Sequence, residues 1–203
     1  MTVAMVGADV DLGTPPPPPP ARPRVLLIGT VLGLGGVVMA FAGVLGYYIH
    51  LRALTHAATG AWLPERVSIP LVPGNMGLVT LAMSVVLVQW AVYAIANDDR
   101  RNTYIALGLT VLLGLAHVNA MAFAFTQIAM PIRSSVGVLF YTIMTMHLAM
   151  VGAGLLFLGL MAFRTLGGQY SGRDREGVAA AAIFWYVTVA VYAVIWYTIF
   201  VTK

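Results

Sequence analysis

Two histidines, His117 and His147, stand near the centres of long apolar runs. At that depth they could meet at a bilayer midplane and hold a haem iron through two axial imidazoles. An intramembrane histidine is also an ordinary hydrogen-bonded packing residue, so the pair alone does not decide for a cofactor. Methionine adds a second chemistry. Met144, His147 and Met150 recur at three-residue spacing on one helix face, and Met121 follows His117 by one turn, a grouping of soft ligands that suits copper. Methionine is equally a filler of apolar cores, and with eleven in the chain some fall beside a histidine by chance. Other chemistries are absent from the sequence. With no cysteine there is no disulfide, thiolate metal site, iron–sulfur cluster or thiol nucleophile. No Ser-His-Asp set shares one depth, and there is neither a phosphate-cradling glycine loop nor an HExxH zinc motif.

The elements that must position these residues follow from composition. Of 203 residues, 60% are hydrophobic and 9% charged, against roughly 25% charged in a soluble domain. The charges are clumped, and five apolar spans lie between the clumps, at about 25–50, 75–97, 104–130, 136–163 and 177–201. Each can cross a bilayer, which takes about 20 apolar residues as helix. The expected fold is therefore all-α, a polytopic five-transmembrane-helix bundle over residues 24–203. No Asp, Glu, Lys or Arg falls within the spans as bounded here, which argues against a transporter, since ionisable groups at depth mark ion pathways. Residues 1–23, with six consecutive prolines from Pro15 to Pro20, read as a disordered cytoplasmic tail.

Orientation comes from the basic residues. Arg22, Arg24, Arg100, Arg101, Arg164, Arg173 and Arg175 collect on one side, and Arg52, Arg66, Arg133 and Lys203 on the other. The richer side is expected in the cytoplasm, with the C-terminus outside. Such arginines are membrane-flanking topology signals; no basic run is long enough to follow a nucleic acid. The longest connection, roughly 51–74, is expected outside as an ordered cover with Trp62 as an interfacial anchor. Gly29, Gly33, Gly43 and Gly46 suggest that the first span packs closely against protein, and Ala179 to Ala182 suggest the same of the last. The polar minority within the spans comprises Ser84, Gln89, His117, Asn119, Thr126, Gln127, Tyr141, Thr142, Thr145, His147, Tyr186 and Thr188. These faces are expected to point inward or toward another subunit.

The stretch from Ser134, SSVGVLFYTIMTMHLAMVGAGLLFLG, resembles a helix of the haem–copper oxidase subunit III family through Phe140, Tyr141, His147, Gly152 and Gly154. Trp185, Tyr192 and the ending IWYTIF are similar to that family's last helix. The likeness runs backwards in order through Phe41, Gly43, His50, Trp62, Pro64, Pro73, Asn75, Asp99, Arg100, Ala106 and Gly114. It matches the short five-helix bacterial form in a divergent version. Val37 and Ala124 stand near the places of family acids, Met150 in that of a second histidine, and Tyr186 and Val189 in those of a terminal His and Asp.

The resemblance implies a non-catalytic structural subunit of a respiratory terminal oxidase in the bacterial inner membrane, N-terminus cytoplasmic and C-terminus external. Its partners would be subunits I and II, which carry haem and copper and couple cytochrome c oxidation to oxygen reduction and proton translocation. The chain itself would hold no cofactor or metal, and would contact membrane lipids with bound phospholipid. Tyr141, His147, Trp185 and Tyr186 are the candidates for the inner face. Two other readings share the sequence: a subunit III-like accessory protein of a nitric oxide reductase, and a haem b anchor of a dehydrogenase or reductase using His117 and His147.

Overall fold

Apolar runs of this length must satisfy their own backbone groups in a membrane, and they do so here as helices. A computed structural model describes residues 24–64, 67–128 and 130–202. The expected tail at 1–23, Arg66 and Lys203 lie outside the described residues. In chain order the elements are α1 (Val25–Thr59), α2 (Leu71–Ala96), α3 (Arg100–Gln127), α4 (Ser135–Leu166) and α5 (Glu176–Ile195), the last continuing as a π-helical segment, Trp196–Val201. All five helices are long and apolar enough to cross a membrane, and no strand occurs among the described residues. The chain is an all-α multi-pass membrane protein.

Helix ends depart from the expected bounds where local chemistry decides. α1 runs on past residue 50, because Leu51 to Ala58 contain no glycine or proline, and stops at Gly60, whose φ of 74° suits glycine and whose N–H donates to His56 O. The connection expected at 51–74 therefore shrinks to residues 60–70. Within it Trp62 is buried against the chain. Its Nε1 donates to Tyr48 Oη at 3.1 Å and its ring meets Tyr48 edge-on at 5.3 Å. α2 and α3 are joined by a tight turn with Asp98 at φ 57°, a region that Asp tolerates better than most residues.

Asp99 caps α3. Its Oδ1 accepts from Asn102 N at 3.0 Å and its Oδ2 from Asn102 Nδ2 at 2.6 Å. These donors, the backbone N–H first, hold its carboxyl below the usual carboxylate range. Since the folded value is the lower one, the cap stabilises above an unfolded value of about 4 and is lost as pH falls through the folded value. The protection factor of the Asn102 amide is expected to drop in acid, and Asp99→Asn, which still caps, should abolish that pH dependence in hydrogen exchange.

α2 and α3 form the most extensive helix pair; α3 continues onto α4, and α5 closes the bundle against α1, α2 and α4. α1 is the least enclosed. It buries Leu34, Phe41, Leu45 and Tyr48, while a side chain placed at Gly29, Gly33, Gly43 or Gly46 would meet no other atom. The glycine face expected to pack against protein thus points out of this chain. The alanine run behaves as expected, with Ala180, Ala181 and Ala182 buried.

Arg52 in α1 binds the end of the chain. Its Nη1 donates to Thr198 O at 3.3 Å, to Thr202 Oγ1 at 2.8 Å and to Thr202 O. Arg52→Met keeps the apolar stem and removes these charged hydrogen bonds. The half-buried site puts the expected loss at about 1.5 kcal/mol, read as a lower melting temperature and faster proteolysis at the C-terminus. Arg24, Arg173 and Arg175 lie at the opposite end of the bundle, around a cavity of about 960 Å³ that also touches the end of α2.

Candidate functional site

The middle of the bundle is built around the two histidines. His117 on α3 and His147 on α4 are fully buried, with ring centroids 5.5 Å apart and planes at 80°. Tyr192 of α5 lies against both, at 4.6 Å from His117 and 5.0 Å from His147. Each imidazole is fixed by a backbone carbonyl on another helix. His117 Nδ1 is 3.1 Å from Gly77 O on α2, and His147 Nε2 is 3.2 Å from Thr188 O on α5. A carbonyl can only accept, so these nitrogens carry the hydrogens in the neutral rings. His117 Nε2 and His147 Nδ1 then hold the lone pairs, and both are buried without a hydrogen-bond partner. Leaving a buried acceptor open costs about 1–3 kcal/mol.

Gly77 allows this arrangement. A β-carbon there would stand 2.7 Å from Met121 Cε, 2.7 Å from Tyr192 Oη and 3.1 Å from His117 Nδ1. Tyr192 Oη donates to Gly74 O at 3.1 Å and lies 3.5 Å from Met121 Sδ. Met144 and Met150 are buried as well.

The four inner-face candidates do not form one cluster. His147 belongs to the group just described. Trp185 is fully buried one helical turn from Thr188, and its Nε1 donates to Ser84 Oγ at 2.8 Å. Its ring lies where side chains at Gly114 or Gly154 would be, with β-carbons there 2.8 and 2.9 Å from indole carbons. Tyr186 Oη donates to Gln89 Oε1 at 2.6 Å on a partly exposed face. Tyr141 is half-buried and its hydroxyl reaches Met130 O at 3.3 Å, holding the α3–α4 connection.

Polar residues divide in the same way. Ser84, Thr188 and both histidines face inward, but Asn119, Thr126, Gln127, Thr142 and Thr145 are exposed on the outer surface. Those five do not point inward; they take the outward side of the expectation, the one that faces lipid or another subunit. Thr126 does so without a tertiary partner, its hydroxyl donating to Phe123 O within its own helix at 2.7 Å.

Tyr192 packs against both rings and Met121 lies against its hydroxyl, both fully buried, so a macrocycle between the two histidines would have to displace that packing. Among the described residues no three His, Cys, Asp or Glu side chains gather into a metal site.

The family described as cytochrome c oxidase subunit III matches residues 22–203. The chain belongs to that family. Similar relatives named cytochrome c oxidase subunit 3 include that of Cyprinus carpio, 27% identical over 192 residues, which are 92% of this chain and 71% of that one. The Strongylocentrotus purpuratus protein is 28% identical over 177 residues, 85% and 68% of the two chains, and the Mus musculus protein 27% over 180, 86% and 69%. Identities at this level fit a divergent subunit III. Several positions that carry the family resemblance touch one another in space: Trp185 rests on Gly114 and Gly154, Trp196 Nε1 donates to Asn75 Oδ1 at 2.8 Å in the following turns, and Asp99 caps α3.

Sequence reasoning missed Gly77, Ser84 as the indole's acceptor, and Arg52 as the holder of the C-terminus. Gly77 and Arg52 carry no periodic signal, and only the fold brings them to their partners.

Proposed function

We propose that this chain is the non-catalytic subunit III of a respiratory haem–copper terminal oxidase. It would pack beside subunits I and II, which would hold the haem and copper, oxidise cytochrome c and reduce oxygen. The observation that carries this reading is the family match over residues 22–203, joined to a core built from the residues that make the resemblance.

The interior supports a scaffold role. Among the described residues the buried side chains that carry polar atoms are Ser, Thr, His, Tyr, Trp and Met, with no buried Asp, Glu, Lys or Arg. Such a core holds helices together and offers no acid to carry protons across. The surfaces support assembly: Asn119, Thr142 and Thr145 are exposed on membrane-spanning helices, and the glycine face of α1 is open. Polar and small residues at helix surfaces are what membrane subunits use to associate. We place the chain in a bacterial inner membrane with its N-terminus in the cytoplasm, supported by the excess of arginine at the end bearing Arg24, Arg173 and Arg175.

Affinity purification of a tagged full-length chain from its native membrane tests this. Recovery of haem–copper subunits I and II is expected; a chain that repeatedly purifies without a subunit I is not an oxidase subunit.

A further inference from the structure

Three polar side chains on membrane-spanning helices are left without partners by the fold. Asn119 on α3 and Thr142 and Thr145 on α4 are exposed, and none of them makes a side-chain hydrogen bond among the described residues. Other threonines behave differently. Thr110, Thr126 and Thr165 each give the hydroxyl to a carbonyl within their own helix. Asn119 and Thr145 also share a level in the membrane. His117 touches His147 across two consecutive, antiparallel helices, and Asn119 follows the first by two residues while Thr145 precedes the second by two. Lipid chains offer an amide no hydrogen bond at that depth, whereas a protein helix does.

The outer side of α4 is shaped for a helix. Thr142, Thr145, Ala149, Gly152, Leu156 and Phe163 follow one another at steps of three, four, three, four and seven residues, the heptad seam of a left-handed helix pair. This chain leaves the seam uncovered: Leu156 is 77% and Phe163 75% exposed, and a β-carbon on Gly152 would meet no other atom. The seam is small near Thr142 and bulky near Phe163. In a two-fold pair of identical chains, Leu156 and Phe163 would stand opposite themselves and hold apart the half that Ala149 and Gly152 draw together. A different helix can set small residues against them.

We propose that the outer faces of α3 and α4 receive a membrane-spanning helix of another oxidase subunit. That helix carries Ser, Thr, Asn or Gln at the level of Asn119 and Thr145, and small residues opposite Leu156 and Phe163. The proposal rests on the subunit reading above and adds to it the face used and the chemistry of the partner.

The test is made on the tagged full-length chain in its native membrane, with the photo-crosslinker benzoylphenylalanine placed singly at Ala149 or Leu156, and at exposed Val86 on α2 as a control. After irradiation and purification, both seam positions are expected to crosslink to one membrane-spanning segment of another oxidase subunit, and Val86 not to that segment. Asn119→Leu should reduce the amount of that subunit retained on detergent dilution about three- to thirtyfold, and Gly152→Leu at least about fivefold. Both positions are open in this chain, so neither substitution should lower the melting temperature of the isolated protein. Seam crosslinks to lipid alone or to a second copy of this chain, or full retention of the partner by both variants, would each overturn the proposal. Such results in a preparation that contains subunit I leave the subunit reading standing; a preparation that lacks subunit I ends both.

Discussion

Trp185→Ala is expected to cost about 3–5 kcal/mol, the range for deleting a buried aromatic side chain. The indole is fully enclosed, and glycines on α3 and α4 make room for it, so the hole left behind is bounded by backbone that cannot collapse easily. Gly114 lies on α3, Gly154 on α4 and Ser84 on α2, which makes one α5 side chain the meeting point of four helices. The hydrogen bond is the smaller part, because Ser84 Oγ keeps its bond to Leu81 O at 2.6 Å when the indole is gone. Trp185→Phe, which loses the N–H and part of the volume, should therefore cost much less than the alanine variant. Thermal unfolding in nanodiscs measures both; an alanine variant as stable as the phenylalanine one would show that the cavity is not what matters.

Gly77→Ala is the second large effect. One methyl group would enter a place already within 3.1 Å of three side-chain atoms. Met121 Cε is the end of a flexible chain and can yield. Tyr192 Oη is not, since its ring packs on both histidines and its hydroxyl is bonded to Gly74 O. Overpacking of this kind costs about 1–3 kcal/mol. It also pushes against the His117–Gly77 hydrogen bond, so the ¹⁵N signal of His117 Nδ1 should move together with the melting temperature. Gly29→Ala is the contrast: the position is helical and open, and replacing glycine in a helix there should leave the isolated chain as stable or slightly more so. If the two substitutions behaved alike, the close approach at Gly77 would carry no energetic weight.

Much of the architecture was legible because bilayer thickness and backbone hydrogen bonding leave few choices. Clumped charges and apolar runs were enough for five helices and for the two ends of the bundle. The ends of the elements were harder. α1 reaches Thr59 because helix propensity continues past the apolar stretch, and hydropathy alone does not see that. The meeting of His117 with His147 was anticipated from equal depth, and the structure brings them into ring contact. Their tautomers were not legible, since these depend on Gly77 O and Thr188 O, carbonyls that any residue would supply. The glycine faces show the same limit. Gly114 and Gly154 receive an indole while Gly29 and Gly33 face outward, yet the spacing of small residues in the sequence does not distinguish the two cases.

The π-helical segment at the end of α5 sets an angular phase. Thr202 N donates to Tyr197 O, five residues back, so the turn is wider than its α-helical neighbours by one residue. In a regular helix that residue would advance everything after it by about 100° around the axis. The wide turn holds the chain so that Phe200 covers Gly74 and the carbonyls of Thr198 and Thr202 both turn to Arg52. The C-terminus therefore works as a keyed ending. Removing a single residue between 196 and 201 would let the helix tighten and rotate these contacts out of step, whereas the same deletion in a loop such as 167–175 would leave the phase of α5 untouched.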